Sequence, residues 1–246
     1  MKNLKPADVL EVWERGFNEP LMHRMMILLA AAFPDLSADH VAQLSIGKRD
    51  EILLLLRERL FGSQMMNTAV CPNCSERTEW ENRVSDLRSP SPPKFGIGDI
   101  HVLELDRYRL EFRLPNSADI ASLGDLEVAE SAVNTLLTRC VTGVQVAGKE
   151  CPVEELPIDV VAALSERIET LDPQAEIRIK LDCPNCQHHW EVLFDVASFL
   201  WTEINDWAER MLAAVHTLAR AYCWSEKEIL TLSPVRRQLY LSLLHS

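Results

Sequence analysis

IRIKLDCPNCQHHWEVLF, residues 177–194, is the stretch that organises this chain. Ile177-Arg-Ile-Lys-Leu181 alternates apolar and charged residues at period two, the pattern of a half-buried strand, and runs straight into Cys183-Pro-Asn-Cys186. Trp190, Val192 and Phe194 lead out on the other side, so the expected element is a short hairpin with two cysteines at its tip. A two-residue gap lets both sulfurs of a tight turn reach one tetrahedral metal, yet one such turn fills only half a coordination shell. The other half lies 112 residues upstream in Cys71-Pro-Asn-Cys74, again with strand-like flanks and with Trp80 on the way out. Cys71, Cys74, Cys183 and Cys186 are therefore expected to bind one structural zinc ion jointly, with a domain inserted between two knuckles.

Other readings of the pairs are weaker on physical grounds. Redox Cys-x-x-Cys motifs sit where a strand gives way to a helix, whereas both pairs here continue into strand-like sequence. Seven cysteines, an odd number, do not make a complete disulfide framework. His188 and His189 lie beside the second turn, and either could replace a thiolate. Many knuckles place glycine after the second cysteine; here the residues are Ser75 and Gln187. A site closed by four sulfurs has no open position for substrate or water, so it is structural rather than catalytic.

Composition restricts the function classes. The chain has 246 residues, 47% of them hydrophobic and 25% charged, an ordinary globular balance. No apolar run reaches membrane-spanning length and no signal-peptide pattern opens the sequence, so no membrane role and a cytoplasmic site of folding are expected. The net charge of −12 repels a polyanion, and four zinc-bound thiolates would add about two more negative charges. Nucleic acid is accordingly not an expected partner, and proteins are.

Along the chain, residues 1–66 carry helical periodicity. It includes a buried-looking helix from Lys48 to Phe61 that is stopped by Gly62. Residues 67–195 hold the knuckles, a Pro-rich loop at about 85–99 expected to be flexible, and the alternating strand Tyr108–Leu114 paired with Ile100–Leu105. Two further helices are expected there, from about Glu127 to Cys140 and from Pro157 to Leu171. Residues 196–246 are helical again, with a capping box in Ser225-Glu-Lys-Glu228. The fold class is α+β: a helical N-terminal segment, zinc-tied β-hairpins with inserted helices, and a helical C-terminal module. No phosphate loop, nucleophile elbow or His-Glu-x-x-His occurs, so no catalytic residue is assigned and no enzyme is expected.

Three segments together resemble a known family. They are Ile46-Gly-Lys-Arg-Asp50 through Phe61-Gly62 ahead of the first knuckle; Phe112-Arg-Leu-Pro115 with Ser117-Ala-Asp119; and the stretch from the second knuckle to the end. The last contains Phe199-Leu-Trp201, His216-x-Leu218-Ala219, Tyr222-x-Trp224-Ser-Glu226, Ile229-Leu230, Arg236-Arg237 and Tyr240-Leu241. The chain resembles the baseplate and hub-assembly proteins of T4-type contractile phage tails and related injection systems. The resemblance implies a non-enzymatic protein, either resident in the baseplate or a chaperone for the hub or spike. The aromatics Trp201, Trp207, Tyr222, Trp224 and Tyr240 read either as core or as a partner-binding face; Trp224, Ile229, Arg236, Arg237 and Tyr240 are expected to be presented to a hub, spike or other tail-assembly protein. The alternative from another class is a zinc-ribbon adaptor in transcription or RNA metabolism, which would need a basic face.

Overall fold

A computed structural model describes residues 1–88, 98–123 and 129–244, and the structural statements below refer to these. In chain order come α1 (Pro6–Gly16), α2 (Leu21–Ala32), α3 (Ala38–Ala42) and α4 (Ile46–Phe61). The hairpin β1 (Gln64–Val70)–β2 (Arg77–Arg83) follows, and then the short α5 (Val84–Leu87). Next are β3 (His101–Leu105), β4 (Tyr108–Phe112), α6 (Ser117–Leu123), α7 (Ala129–Cys140), β5 (Val141–Val146), β6 (Lys149–Glu150) and α8 (Ile158–Leu171). A second hairpin, β7 (Arg178–Asp182)–β8 (His189–Leu193), precedes α9 (Val196–Tyr222), α10 (Glu226–Thr231) and α11 (Pro234–Leu243). The protein is α+β, as the sequence patterns imply, and all sheets are antiparallel.

The chain divides into two compact units, Met1–Leu36 with Ala197–Ser246, and Ser37–Val196. The second unit ends at the start of α9; residue 66 lies inside β1, and α3 and α4 fall in the same unit as the hairpins, α1 and α2 in the other. The physical reason is in α4. Its Ile52, Leu53, Leu54 and Leu56 are buried, and so are Arg49, Asp50, Glu51 and Arg57, so it is buried nearly all round. A helix of that kind belongs inside a core rather than on its edge.

In the first unit, α9 lays Ala208, Met211, Val215 and Leu218 against Leu10 of α1 and Ile229 and Leu230 of α10. The indole of Trp13 donates to Asn205 Oδ1 at 3.0 Å, so the helices are joined by a polar bond as well as by apolar area.

In the second unit, β3–β4–β5–β6 form one sheet, which packs Leu110, Phe112 and Val144 on Val160 and Leu164 of α8. Each such fully buried side chain stabilises the fold by about 1.5–3 kcal/mol. This sheet, with α6, α7 and α8, is the insertion between the two cysteine hairpins. Its β5–β6 half was not legible beforehand. The two strands turn through Ala147-Gly148, both at positive φ (49° and 80°), a primed two-residue turn that normally announces itself with Asn or Asp. The expected Pro-rich loop begins instead as α5, where the Asp86 carboxylate accepts from the Arg83 N–H; its residues 89–97 lie outside the described residues.

Two carboxylates fix the elements around the hairpins. Asp119, fully buried, accepts two bonds from Arg113 (2.5 and 2.9 Å), one from Arg139 Nε (2.8 Å) and one from the Asn116 N–H (3.0 Å). Burial alone would raise its pKa. The Arg113 bonds, with the Asn116 N–H and Arg139, outweigh this and hold it down at about 2. Asp172 accepts from the Gly47 N–H at 2.9 Å, in the first turn of α4, where a negative group is favoured.

Candidate metal centre

The two hairpins are built alike. Val70 pairs with Arg77 and Asp182 with His189, and adding 112 to any described pair from Met66–Glu81 to Val70–Arg77 gives its counterpart in β7–β8. The turns match bond for bond. Cys71 N–H donates to Glu76 O (2.8 Å) and Ser75 N–H to Cys71 O (2.9 Å); Cys183 N–H donates to His188 O (2.9 Å) and Gln187 N–H to Cys183 O (3.0 Å). Ser75 and Gln187 occupy equivalent left-handed positions, φ 63° and 59°. That explains why glycine is common there and shows that the turn forms without it, at a cost of about 1–2 kcal/mol per residue.

The tips meet. Cys71 Sγ lies 3.7 Å from Cys186 Sγ and Cys74 Sγ 3.5 Å from Cys183 Sγ, and all four sulfurs are within 4.8 Å of one another. Disulfide sulfurs sit about 2.05 Å apart, so these are four thiols. A tetrahedron of sulfurs each about 2.3 Å from a zinc ion has edges of about 3.8 Å, close to the spacing seen. The donor set therefore fits a tetrahedral, thiophilic ion. The first cysteine of each pair is buried (Cys71 1% and Cys183 2% exposed), and the second is half-buried.

Electrostatics within the cluster are asymmetric. The Asn73 side-chain amide, above all, and then the His188 backbone N–H hold Cys186 down at about 6. Cys74 is pushed up to about 12: the Glu76 N–H draws it down, but burial and the three neighbouring sulfurs outweigh that. Donors that favour the thiolate of Cys186 suit the cluster to a cation, because thiolates rather than thiols are ligands.

His188 and His189 do not join the sulfurs. The His188 ring stacks near Trp190, with centroids 6.2 Å apart, and the His189 ring pairs with Asp182. The two tryptophans, which looked equivalent in sequence, are not: Trp80 pairs with Asn67 and Trp190 with Leu181, two residues out of register between hairpins. What the sequence reading missed is the pair of asparagines inside the turns. Asn73 Nδ2 donates to Cys186 Sγ (3.4 Å) and Asn185 Nδ2 to Cys74 Sγ (3.7 Å), each across to the other knuckle. The repeated Pro-Asn filling of both pairs was the available signal.

The expected partner-binding residues differ in exposure. Ile229 is fully buried and Arg237 is 8% exposed, its guanidinium turned towards Leu232 O. Trp224 stacks on Tyr222 at 4.7 Å and meets the edge of Tyr240 at 4.8 Å, so both are half-buried in the core of their own unit. Of the five residues, Arg236 alone is exposed. Val235 and Leu239, one turn apart on α11, are 70% and 59% exposed and were not singled out.

Residues 23–201 match the family described as T4 bacteriophage base plate protein. The match takes in the first two resembling segments and the third as far as Trp201; the ending from His216 onward lies outside it. No curated protein and no solved structure matches the chain. With most of its length matched, the chain belongs to the T4 bacteriophage base plate protein family.

Proposed function

We propose that the protein is a non-enzymatic component of a contractile tail or tail-like injection system. In this reading it is a baseplate part or a hub-assembly chaperone, held in shape by one structural zinc on Cys71, Cys74, Cys183 and Cys186. The observation that carries the proposal is the family match, because it spans both hairpins and everything between them. When bound, zinc joins two hairpins that are distant in sequence. Structural zinc carries apparent binding energies of about 10–16 kcal/mol, comparable with the whole stability of a domain. Four sulfurs fill a tetrahedral shell, which supports a structural rather than a catalytic ion.

One polar cavity among the described residues is consistent with the non-enzymatic reading. It is lined by Ser45, Lys48, Asp99, His101, Arg113 and Asn116, and its charged groups are engaged, Lys48 with Asp99 and Arg113 with Asp119. The partner face moves from the aromatic cluster to the exposed Val235, Arg236 and Leu239 of α11, with other tail-assembly proteins as partners. Assembly would begin in the cytoplasm. The net charge of −12 weighs against the adaptor alternative and against nucleic acid.

The test is affinity purification of the tagged protein from its host, with mass spectrometry on soluble and particle fractions. Hub, spike or other baseplate proteins should co-purify. Presence in particles identifies a resident part, and presence in the soluble pool alone identifies a chaperone. Polymerase or ribosomal proteins in their place would overturn the proposal.

A further inference from the structure

The two asparagines of the knuckles do more than shape turns. We infer that Asn73 and Asn185 are crossed donors that guard the two solvent-facing sulfurs of the metal centre and raise its affinity for the ion. This inference rests on the four cysteines holding a metal.

Exposure separates the four sulfurs into two pairs. Cys71 and Cys183 are sealed by the chain, and Cys183 Sγ also lies 3.5 Å from the Cys186 N–H. Cys74 and Cys186 are half-buried and face water, where a thiolate is open to protonation, exchange and electrophiles. Those two sulfurs are the ones that receive side-chain amides, Cys186 from Asn73 and Cys74 from Asn185. Each amide comes from the opposite knuckle, so each bond spans the junction between hairpins and forms only when the tips are together. Both asparagines are exposed, so no core packing demands them.

A turn-forming role would explain asparagine equally well, since Asn and Asp both favour tight turns. Chemistry separates the two accounts. An amide donates to a thiolate and disperses its charge; an aspartate keeps the turn but offers no donor. An alanine removes the donor without adding charge. Outer-shell partners of metal ligands typically contribute 10–100-fold in affinity. Each asparagine should fall at the lower end, because its bond is long and exposed.

The experiment compares the zinc-loaded wild type with Asn73→Ala, Asn185→Ala, Asn73→Asp and the double alanine variant. Metal affinity is read by competition with a chromophoric chelator, and cysteine modification by timed iodoacetamide labelling with peptide mass spectrometry. Affinity should fall about tenfold in each single alanine variant and about 100-fold in the double. The labelling pattern should be crossed: Asn73→Ala speeds modification of Cys186 and leaves Cys74 unchanged, and Asn185→Ala does the reverse. Asn73→Asp should lose at least as much affinity as Asn73→Ala. In the cobalt-substituted protein, the sulfur-to-metal charge-transfer band should move to lower energy when a donor is removed, a shift that a change of turn stability would not produce. Unchanged affinity and labelling would overturn the inference, and so would faster labelling within the variant's own knuckle. A wild type that takes up no metal would overturn the metal centre itself, and a metal-loaded wild type with indifferent variants would overturn only the role of the asparagines.

Discussion

Gly47 opens α4 against Asp172, and replacing it with alanine tests that contact sharply. A Cβ at this position would stand 2.2 Å from Asp172 Oδ1, 2.7 Å from its Cγ and 2.9 Å from the Ala175 backbone nitrogen. The last neighbour is main chain and cannot rotate away, so the carboxylate must retreat by about 1 Å to restore ordinary contact. That retreat breaks the 2.9 Å bond from the Gly47 N–H. Losing a hydrogen bond to a charged group costs about 1.5–3 kcal/mol, and forcing extra volume into a packed site adds about 1–3 kcal/mol. Against this, alanine is a better helix former than glycine by about 1 kcal/mol. The steric and polar terms win, for a net loss of roughly 1.5–5 kcal/mol. Urea unfolding followed by circular dichroism, with zinc present throughout, reads the change. At a slope of about 1–3 kcal/mol/M the midpoint should fall by at least about 0.5 M. The same substitution placed on Asp172→Ala should cost far less, because the obstructing carboxylate is gone. A Gly47→Ala protein as stable as the wild type, or more stable, would show that propensity governs and that the Asp172 contact does not hold the helix.

Other expectations follow from the same contacts. Asp119→Asn should cost about 2–3 kcal/mol in chemical unfolding, because the buried carboxylate loses its charged bonds to the part-buried Arg113 and the exposed Arg139. The Asp119 carboxyl is depressed to about 2 in the folded protein and lies near 3.9 when unfolded, so its contribution is full above pH 4 and is lost as pH falls towards 2. An acid titration of stability in which Asp119→Asn retained the wild-type slope across that window would contradict the assignment. Gln187→Val should destabilise by about 1–2 kcal/mol, since a β-branched residue resists φ 59°, whereas Gln187→Gly should be neutral or stabilising by thermal melting. Val235→Asp with Leu239→Asp should abolish co-purification of tail proteins while leaving zinc content and melting unchanged. Retention of every partner would remove α11 from the interface.

Much of the fold could be read from local chemistry. Ser225 accepts the expected helix-start bond, Gly62 ends α4 at φ 92°, and the strand-like sequence around both cysteine pairs yields hairpins. The four-sulfur site was also legible, because two identical half-sites imply each other. The failures share a cause, which is that periodicity reports apolar faces but not what covers them. Trp224 and Tyr240 read as core or as interface anchors, and they stack on each other and on Tyr222 within their own unit. Arg237 is a buried arginine, which no local pattern marks. The exposed pair Val235 and Leu239 passed unnoticed because a four-residue spacing on a short helix looks like core. The sequence of α4 likewise does not reveal which neighbours surround a helix buried nearly all round.

The central claim is that four cysteines from two knuckles hold one zinc ion. Native mass spectrometry of the purified protein, with iodoacetamide labelling before and after chelation, tests it most directly. The account predicts one zinc per chain, with Cys71, Cys74, Cys183 and Cys186 protected until chelator is added, while the exposed Cys223 reacts at once. A metal-free protein whose four knuckle cysteines label freely in the folded state, or are joined as disulfides, would contradict it.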